Sequence, residues 1–173
     1  MSNLTILGDT SGSVVLQAPA VSGSTTITFA AQSGTLNVGG PAFSAYKSGS
    51  QSLPANSYTK ILFETEEFDT NNNFASSTFT PTVAGYYQIN AAFQVGALFT
   101  SGNLAIYKNG SRYKQGFSTG GVAGTTGVFT ANSLVYCNGT SDYIEAFGFI
   151  RDAQALDSGV AFTYFNGCFL RGN

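Results

Sequence analysis

The stretch Tyr86-Tyr87-Gln88-Ile89-Asn90-Ala91-Ala92-Phe93-Gln94-Val95 decides the fold class of this chain. Its apolar and polar residues alternate with a period of two, the period of an extended strand. One face carries Tyr87, Ile89, Ala91, Phe93 and Val95, which reads as core. The other carries Tyr86, Gln88, Asn90, Ala92 and Gln94, which is polar but has no charge. A helix would scatter both sets around its axis.

The same pattern recurs on either side. Strands are expected at 43–46, 58–63, 86–95, 104–108, 112–115, 127–136, 142–150 and 160–170. Asn109-Gly110 joins two of them with the strongest short-range hairpin signal, and Asn138-Gly139 marks another turn. The glycine-rich run 116–127 reads as a loop, and 151–156 as a single helical turn. In the last strand Tyr164, Asn166, Cys168 and Leu170 share a face opposite Phe165, Gly167 and Phe169. In the strand before it, Ile144, Ala146 and Gly148 oppose Tyr143, Glu145, Phe147 and Phe149. Many short strands with regular turns and no helical periodicity make an all-β sandwich or barrel.

Composition narrows the function. Only 9% of the 173 residues are charged, 7 Lys+Arg against 9 Asp+Glu, where about 25% is usual. There is no His, so no Ser-His-Asp or Cys-His catalytic unit and no His-ligated zinc. Two Cys build neither a disulfide scaffold nor a four-Cys zinc site. Cys137 and Cys168 read as small core hydrophobes. A net charge of −2 with scattered basic residues argues against nucleic acid as a partner. No run of 18 apolar residues is present, so no membrane insertion is expected. Met1-Ser2-Asn3-Leu4-Thr5 has no basic n-region, so synthesis in a cytosol is expected. Uncharged faces rich in Tyr, Asn and Gln beside a full core suggest a buried subunit interface; the competing reading is a merely solvated face.

Charge also divides the chain. No charged residue occurs from Thr10 to Tyr46, and Gly39-Gly40-Pro41 is strong punctuation. A boundary is placed there, with residues 1–40 as an N-terminal stem or attachment segment and 41–173 as a head. The first part holds short β-type runs, among them Val14-Val15-Leu16, Thr25-Thr26-Ile27-Thr28-Phe29 and Thr35-Leu36-Asn37-Val38. A hairpin with so little core is marginal alone, so ordering by pairing with other copies is expected.

Several motifs in chain order resemble the head domain of complement component 1q. They are Phe68-Asp69-Thr70-Asn71-Asn72-Asn73-Phe74, Phe79-Thr80-Pro81, Ala84-Gly85-Tyr86-Tyr87-Gln88-Ile89 and Ala105-Ile106-Tyr107-Lys108-Asn109-Gly110. Asp142-Tyr143-Ile144 and Phe165-Asn166-Gly167-Cys168-Phe169-Leu170 complete the set, which covers about 42–171. The resemblance implies a ten-stranded jelly roll that forms a compact trimer, a fold shared with tumour necrosis factor. It implies that one sheet faces the threefold axis, with Tyr86, Asn90, Tyr164 and Asn166 as interface candidates. The run from Gly12 to Gly23, then Ile27-Thr28-Phe29 and Ser33-Gly34-Thr35-Leu36, is similar to segments of bacteriophage tail-fibre and virion appendage proteins. That likeness implies virion anchoring through Val14, Leu16, Ile27 and Phe29.

The remaining candidates carry less chemistry. Glu64, Glu66, Glu67, Asp152 and Asp157 are read as surface carboxylates rather than a glycosidase pair. Asp69, Asn71 and Asn73 are spaced like alternate calcium ligands, and some members of the resembled family bind calcium. The loop motif's glycine and terminal glutamate are missing, so no cofactor or metal is expected beyond this one calcium candidate. Tyr107, Asn109, Arg112, Tyr113 and Lys114 mark a hairpin suited to a receptor or glycan. The expectation is a non-enzymatic, homotrimeric virion protein of a bacteriophage, either tail fibre or capsid decoration. It would contact other virion proteins and a host surface glycan. The alternative is a secreted bacterial carbohydrate-binding domain.

Overall fold

The structure, a computed structural model, describes residues 3–7, 11, 13–17, 39–96, 99–120 and 126–172, and all regular structure among them is β. The chain divides into two compact units, Met1–Gly34 and Thr35–Asn173. In the first, β1 (Asn3–Leu7) pairs antiparallel with β2 (Ser13–Gln17), with Leu4 opposite Leu16 and Ile6 opposite Val14. The first of these strands is absent from the sequence expectation. The runs at 25–29 and 35–38, including Ile27 and Phe29, lie outside the described residues.

The second unit begins with β3 (Ala42–Tyr46), β4 (Ser52–Leu53), β5 (Thr59–Lys60), β6 (Thr65–Asp69), β7 (Phe74–Ala75) and β8 (Thr78–Phe79). It continues with β9 (Gly85–Val95), β10 (Ser101–Lys108), β11 (Ser111–Gly120) and β12 (Gly127–Cys137). It ends with β13 (Ile144–Ile150), β14 (Gln154–Ala155) and β15 (Tyr164–Arg171). One sheet has the order β12-β9-β15-β3-β6. The other runs β11-β10-β13-β8-β7, with β5 also paired to β13, and β14-β4 is a separate two-stranded piece. Neighbours in a sheet are mostly distant in sequence, which is the jelly-roll arrangement.

The core lies where the inward rows of the two sheets meet. Tyr87, Ile89, Phe93 and Val95 of β9 have no exposed surface, and neither do Leu104, Ile106, Ile144 and Ile150 from the opposite sheet. Each such side chain contributes about 1.5–3 kcal/mol of burial. Phenylalanines fill the core between and within the layers: Phe43 stacks on Phe79 of the other sheet at 4.3 Å and meets Phe165 of its own sheet edge-on at 4.9 Å. Phe93 stacks on Phe129 at 4.7 Å. The buried Tyr87 hydroxyl donates to the Val83 carbonyl at 2.6 Å.

The structure corrects several details. Of the expected strand at 58–63 only β5 remains. Beyond it the Ile61 N–H goes to the Ala146 carbonyl, and the Phe63 N–H to the Ser77 hydroxyl at 2.8 Å. The expected loop at 116–127 is strand as far as Gly120. A Cβ at Gly116 would strike the Thr130 carbonyl, so glycine lets β11 lie against β12. The helical turn expected at 151–156 is β14 and its neighbours, and the Leu156 N–H bonds to the Gln51 carbonyl. The last strand starts at Tyr164 rather than 160, because a turn on Gly159 takes the N–H groups of Phe162 and Thr163. Cys137 is buried as expected, but Cys168 is exposed, because alternation carries it outward with Tyr164 and Asn166.

Candidate functional site

The outer face of the five-stranded sheet collects the four expected interface residues. Register aligns Asn132, Asn90, Asn166 and Ser44 in one row across β12, β9, β15 and β3. Leu134, Gln88, Cys168 and Ala42 form the next row. Tyr164 sits between Ala92 and Tyr46, and Tyr86 lies beside Tyr136 with ring centres 5.4 Å apart. The amides are chained: Gln88 Nε2 donates to Asn90 Oδ1 at 3.1 Å, and Asn90 Nδ2 donates to Asn166 Oδ1 at 3.0 Å. At the β6 side the Ser44 hydroxyl donates to Glu67 Oε2 at 2.7 Å.

Across β12, β9, β15 and β3 the sequence places one charged residue, Arg171, at the end of β15. With Tyr86, Leu134 and Leu170 it lines a groove of about 380 Å³. On this face Val128 is 52% exposed, Leu134 51% and Leu170 47%. A surface with a single charged residue at its end, exposed aliphatic residues and a hydrogen-bonded amide row has the chemistry of an interface core.

The β10–β11 hairpin separates the expected contact residues. Asn109 (φ 53°) and Gly110 (φ 74°) form its tip, the left-handed pair that the Asn-Gly signal requires. Asn109 is committed internally, contrary to its reading as a contact residue. Its Nδ2 donates to Asp142 Oδ1 at 2.7 Å, and its Oδ1 accepts the Tyr143 N–H at 2.9 Å. Hydrogen bonding from Asn109 outweighs burial and, with Lys108 and the Asn138 N–H, holds the Asp142 carboxyl below its ordinary value. Tyr107 is half-buried rather than exposed, stacked on Phe147 at 4.0 Å. The guanidinium of Arg112 lies 5.1 Å from the Tyr58 ring centre, and its Nη1 donates to the Tyr58 hydroxyl at 2.8 Å. A bulge between the pairs Ile106–Lys114 and Tyr107–Arg112 puts Lys114 on the other side of the ribbon from Arg112. Its ammonium lies 5.2 Å from the ring centre of the exposed Tyr113. The sequence reading missed Tyr58, Phe147 and Phe149, although alternation had put both Phe on the non-core face of β13.

Elsewhere the candidates serve the fold. Asp69 accepts the N–H groups of Asn71 and Phe74, and Asn73 Oδ1 accepts from Thr82, so these oxygens close a turn. Among the described residues no group of three or more His, Cys, Asp or Glu is placed to hold a metal. Lys47 is fully buried and bonds Glu64 Oε1 at 2.9 Å, while Glu64 Oε2 accepts the N–H groups of Ser48 and Gly49. Partial burial pushes the Glu64 carboxyl up, but Lys47 and those two N–H groups prevail and hold it below its ordinary value. Asp157 accepts from Gln94 at 2.8 Å, and Asp152 from the Thr100 N–H. Of the proposed anchoring residues, Val14 and Leu16 lie on β2.

No protein-family model matches the chain, and no curated protein matches it. Solved structures do. The globular domain of zebrafish complement 1qA protein shares 15% identity, covering 78% of this chain and 99% of that one, with a TM-score of 0.61. Murine APRIL shares 9% identity over 76% of this chain and 99% of its own, again with a TM-score of 0.61. PRD1 vertex protein P5 shares 15% identity over 78% of this chain and 100% of its own, with a TM-score of 0.58. At such identities the likeness is one of fold, and the chain carries a jelly-roll head like those of complement 1q and tumour necrosis factor.

Proposed function

We propose that the chain is a non-enzymatic, trimeric structural protein of a bacteriophage particle, anchored by residues 1–40 and presenting its jelly roll outward. The observation that carries the trimer is the uncharged outer face of β12-β9-β15-β3, with Val128, Leu134 and Leu170 about half exposed. A monomer would have to solvate that face, whereas three copies around an axis bury it. The resemblance to complement 1q and tumour necrosis factor heads supports the same sheet as the axial one. The shared fold of PRD1 vertex protein P5 supports a place on a virion, with the appendage-like sequence of the N-terminal segment. Tail fibre and capsid decoration both fit this reading. Apart from the exposed Glu66, the head's carboxylates are tied to structural partners, which favours assembly and contact over catalysis.

Mass measurement in solution tests the assembly. The expected result is a trimer at micromolar concentration, and a clean monomer there refutes it. Deletion of residues 1–40 tests the anchoring: the truncated head is expected to trimerise but no longer to attach to particles. Attachment that survives the deletion overturns the assignment of those residues.

A further inference from the structure

The outer face of the second sheet has a different chemistry from the interface face. Tyr107 stacks on Phe147 at 4.0 Å, Tyr58 lies 5.2 Å from Phe149, and Tyr58 and Tyr107 are 6.1 Å apart, centre to centre. All four rings are half-buried, so each keeps part of its surface in solvent. Polar groups hold the platform in place. The Tyr58 hydroxyl donates to Asn103 Oδ1 at 2.8 Å while accepting from Arg112 Nη1 at 2.8 Å, and Gln115 Oε1 lies within 3.4 Å of that nitrogen. These bonds fix the guanidinium plane and engage only Nη1 of Arg112 among the described residues.

Charge on this face is unbalanced. Lys60 and Glu145 neutralise each other at 2.8 Å. Arg112 has no carboxylate within ion-pair distance among the described residues. In a chain of net charge −2, this face therefore carries a local positive charge beside exposed aromatic surface. We infer that the platform of Tyr58, Tyr107, Phe147 and Phe149 binds a saccharide that carries a carboxylate, with Arg112 as the carboxylate's partner. Tyrosine and phenylalanine offer the apolar faces of sugar rings flat surface at low entropic cost. Arginine supplies the planar fork that matches a carboxylate, in a geometry that Tyr58 and Gln115 have already fixed. The inference deepens the reading of the chain as a contact protein, but it does not depend on the trimer.

The test is calorimetric titration of the full chain with oligogalacturonate and sialyllactose, each against its neutral counterpart, galactotriose and lactose. Both the wild type and Arg112→Gln are measured. At least one acidic probe is expected to bind at least tenfold more tightly than its neutral counterpart, a difference of about 1.4 kcal/mol. Arg112→Gln is expected to erase that preference while leaving the melting temperature within a few degrees. Tyr58→Phe keeps the ring and removes only the hydroxyl that holds the guanidinium; a several-fold loss is expected there too. It is the variant to read if Arg112→Gln does not fold. Equal binding of acidic and neutral probes overturns the inference, as does an acid preference that survives both variants. So does an absence of binding to either acid at about 10 mM. A trimeric mass without saccharide binding would fail this inference alone, and a monomer that binds would fail the trimer alone.

Discussion

Asn166→Asp puts one negative charge at the centre of the uncharged face with almost no change of shape. Asn166 lies on β15, the middle strand of its sheet, and its Oδ1 already accepts from Asn90 Nδ2 at 3.0 Å. A carboxylate keeps that bond, so the isolated head should lose less than about 0.5 kcal/mol, as for other surface substitutions. The trimer should respond differently. The one cation on these strands, Arg171, is five residues along β15, roughly 17 Å at strand rise and about two Debye lengths away. The nearer charge is Glu67, of the wrong sign, joined through Ser44 in the same row. Burial of an unpaired charge costs several kcal/mol. Taking only about 2 kcal/mol for each of three copies gives about 6 kcal/mol, roughly four decades in the trimer's dissociation constant. Sedimentation equilibrium at neutral pH measures this directly. Acidification is an internal control: the introduced carboxyl is neutral well below its ordinary pKa of about 3.9, and association should return there. A variant that stays trimeric at wild-type concentrations and neutral pH refutes the placement of this face at the interface.

Three further outcomes are expected. Cys168 should be shielded from a maleimide in the trimer and react once Asn166→Asp dissociates it. Cys137, whose thiol burial pushes up to about 11, should stay silent until unfolding; fast labelling of Cys168 in the trimer contradicts the interface. Because the folded Glu64 carboxyl titrates below its ordinary value, its contribution to stability is present above about pH 4.5 and is lost as pH falls through the folded value. Glu64→Gln should therefore cost about 1 kcal/mol at neutral pH, moderated by partial exposure, and flatten the acid limb of a urea-melt series; an unchanged limb sinks the assignment. Asn109→Ala removes the bonds to Asp142 and Tyr143 and leaves a Cβ-bearing residue other than Asn at φ 53°. About 2 kcal/mol should be lost in the urea midpoint, and a midpoint unchanged from wild type shows that the tip is not a structural clasp.

Much of the fold is legible in the alternation of a few long strands. Tyr87, Ile89, Ala91, Phe93 and Val95 announce the core because eleven residues of β9 pass through it without a break. The short strands β4, β5, β7, β8 and β14 have two residues each, a single period of alternation that no local pattern marks out, and β4 finds its partner in β14 and β7 in β8. The same limit hides Tyr58: it joins Phe149, Arg112 and Asn103 from strands far away in the chain, and no local spacing encodes that meeting. Asn109 was visible as a residue, but its function was not. A turn asparagine and a contact asparagine look alike until Asp142 is seen beside it. Cys168 shows a conflict between two signals. The general habit of free cysteine points inward, while the alternation of β15 points outward, and the register of a paired strand prevails.

The distribution of charge gives the low-charge composition a physical use. β6, an edge of the five-stranded sheet, carries Glu66, Glu67 and Asp69, and β11, an edge of the other, carries Arg112 and Lys114. Charged edge strands oppose the addition of further strands, which is how soluble β proteins avoid open-ended stacking. In the five-stranded sheet, β12, β9, β15 and β3 are free of charge until Arg171. Pairing through these two charged edges is thus penalised, while association through the rows of one sheet face is not, which favours the proposed closed ring over the addition of further strands. On that face the aliphatic residues Val128, Leu134 and Leu170 supply burial without direction. The amide chain from Gln88 through Asn90 to Asn166 supplies direction, because amide donors and acceptors tolerate only certain registers across an interface. Replacing those amides with leucine would add apolar area and remove the means of choosing one register. An Asn90→Leu, Asn166→Leu variant should therefore still associate, but as a mixture of sizes, and a homogeneous trimer from it would show that shape alone sets the assembly.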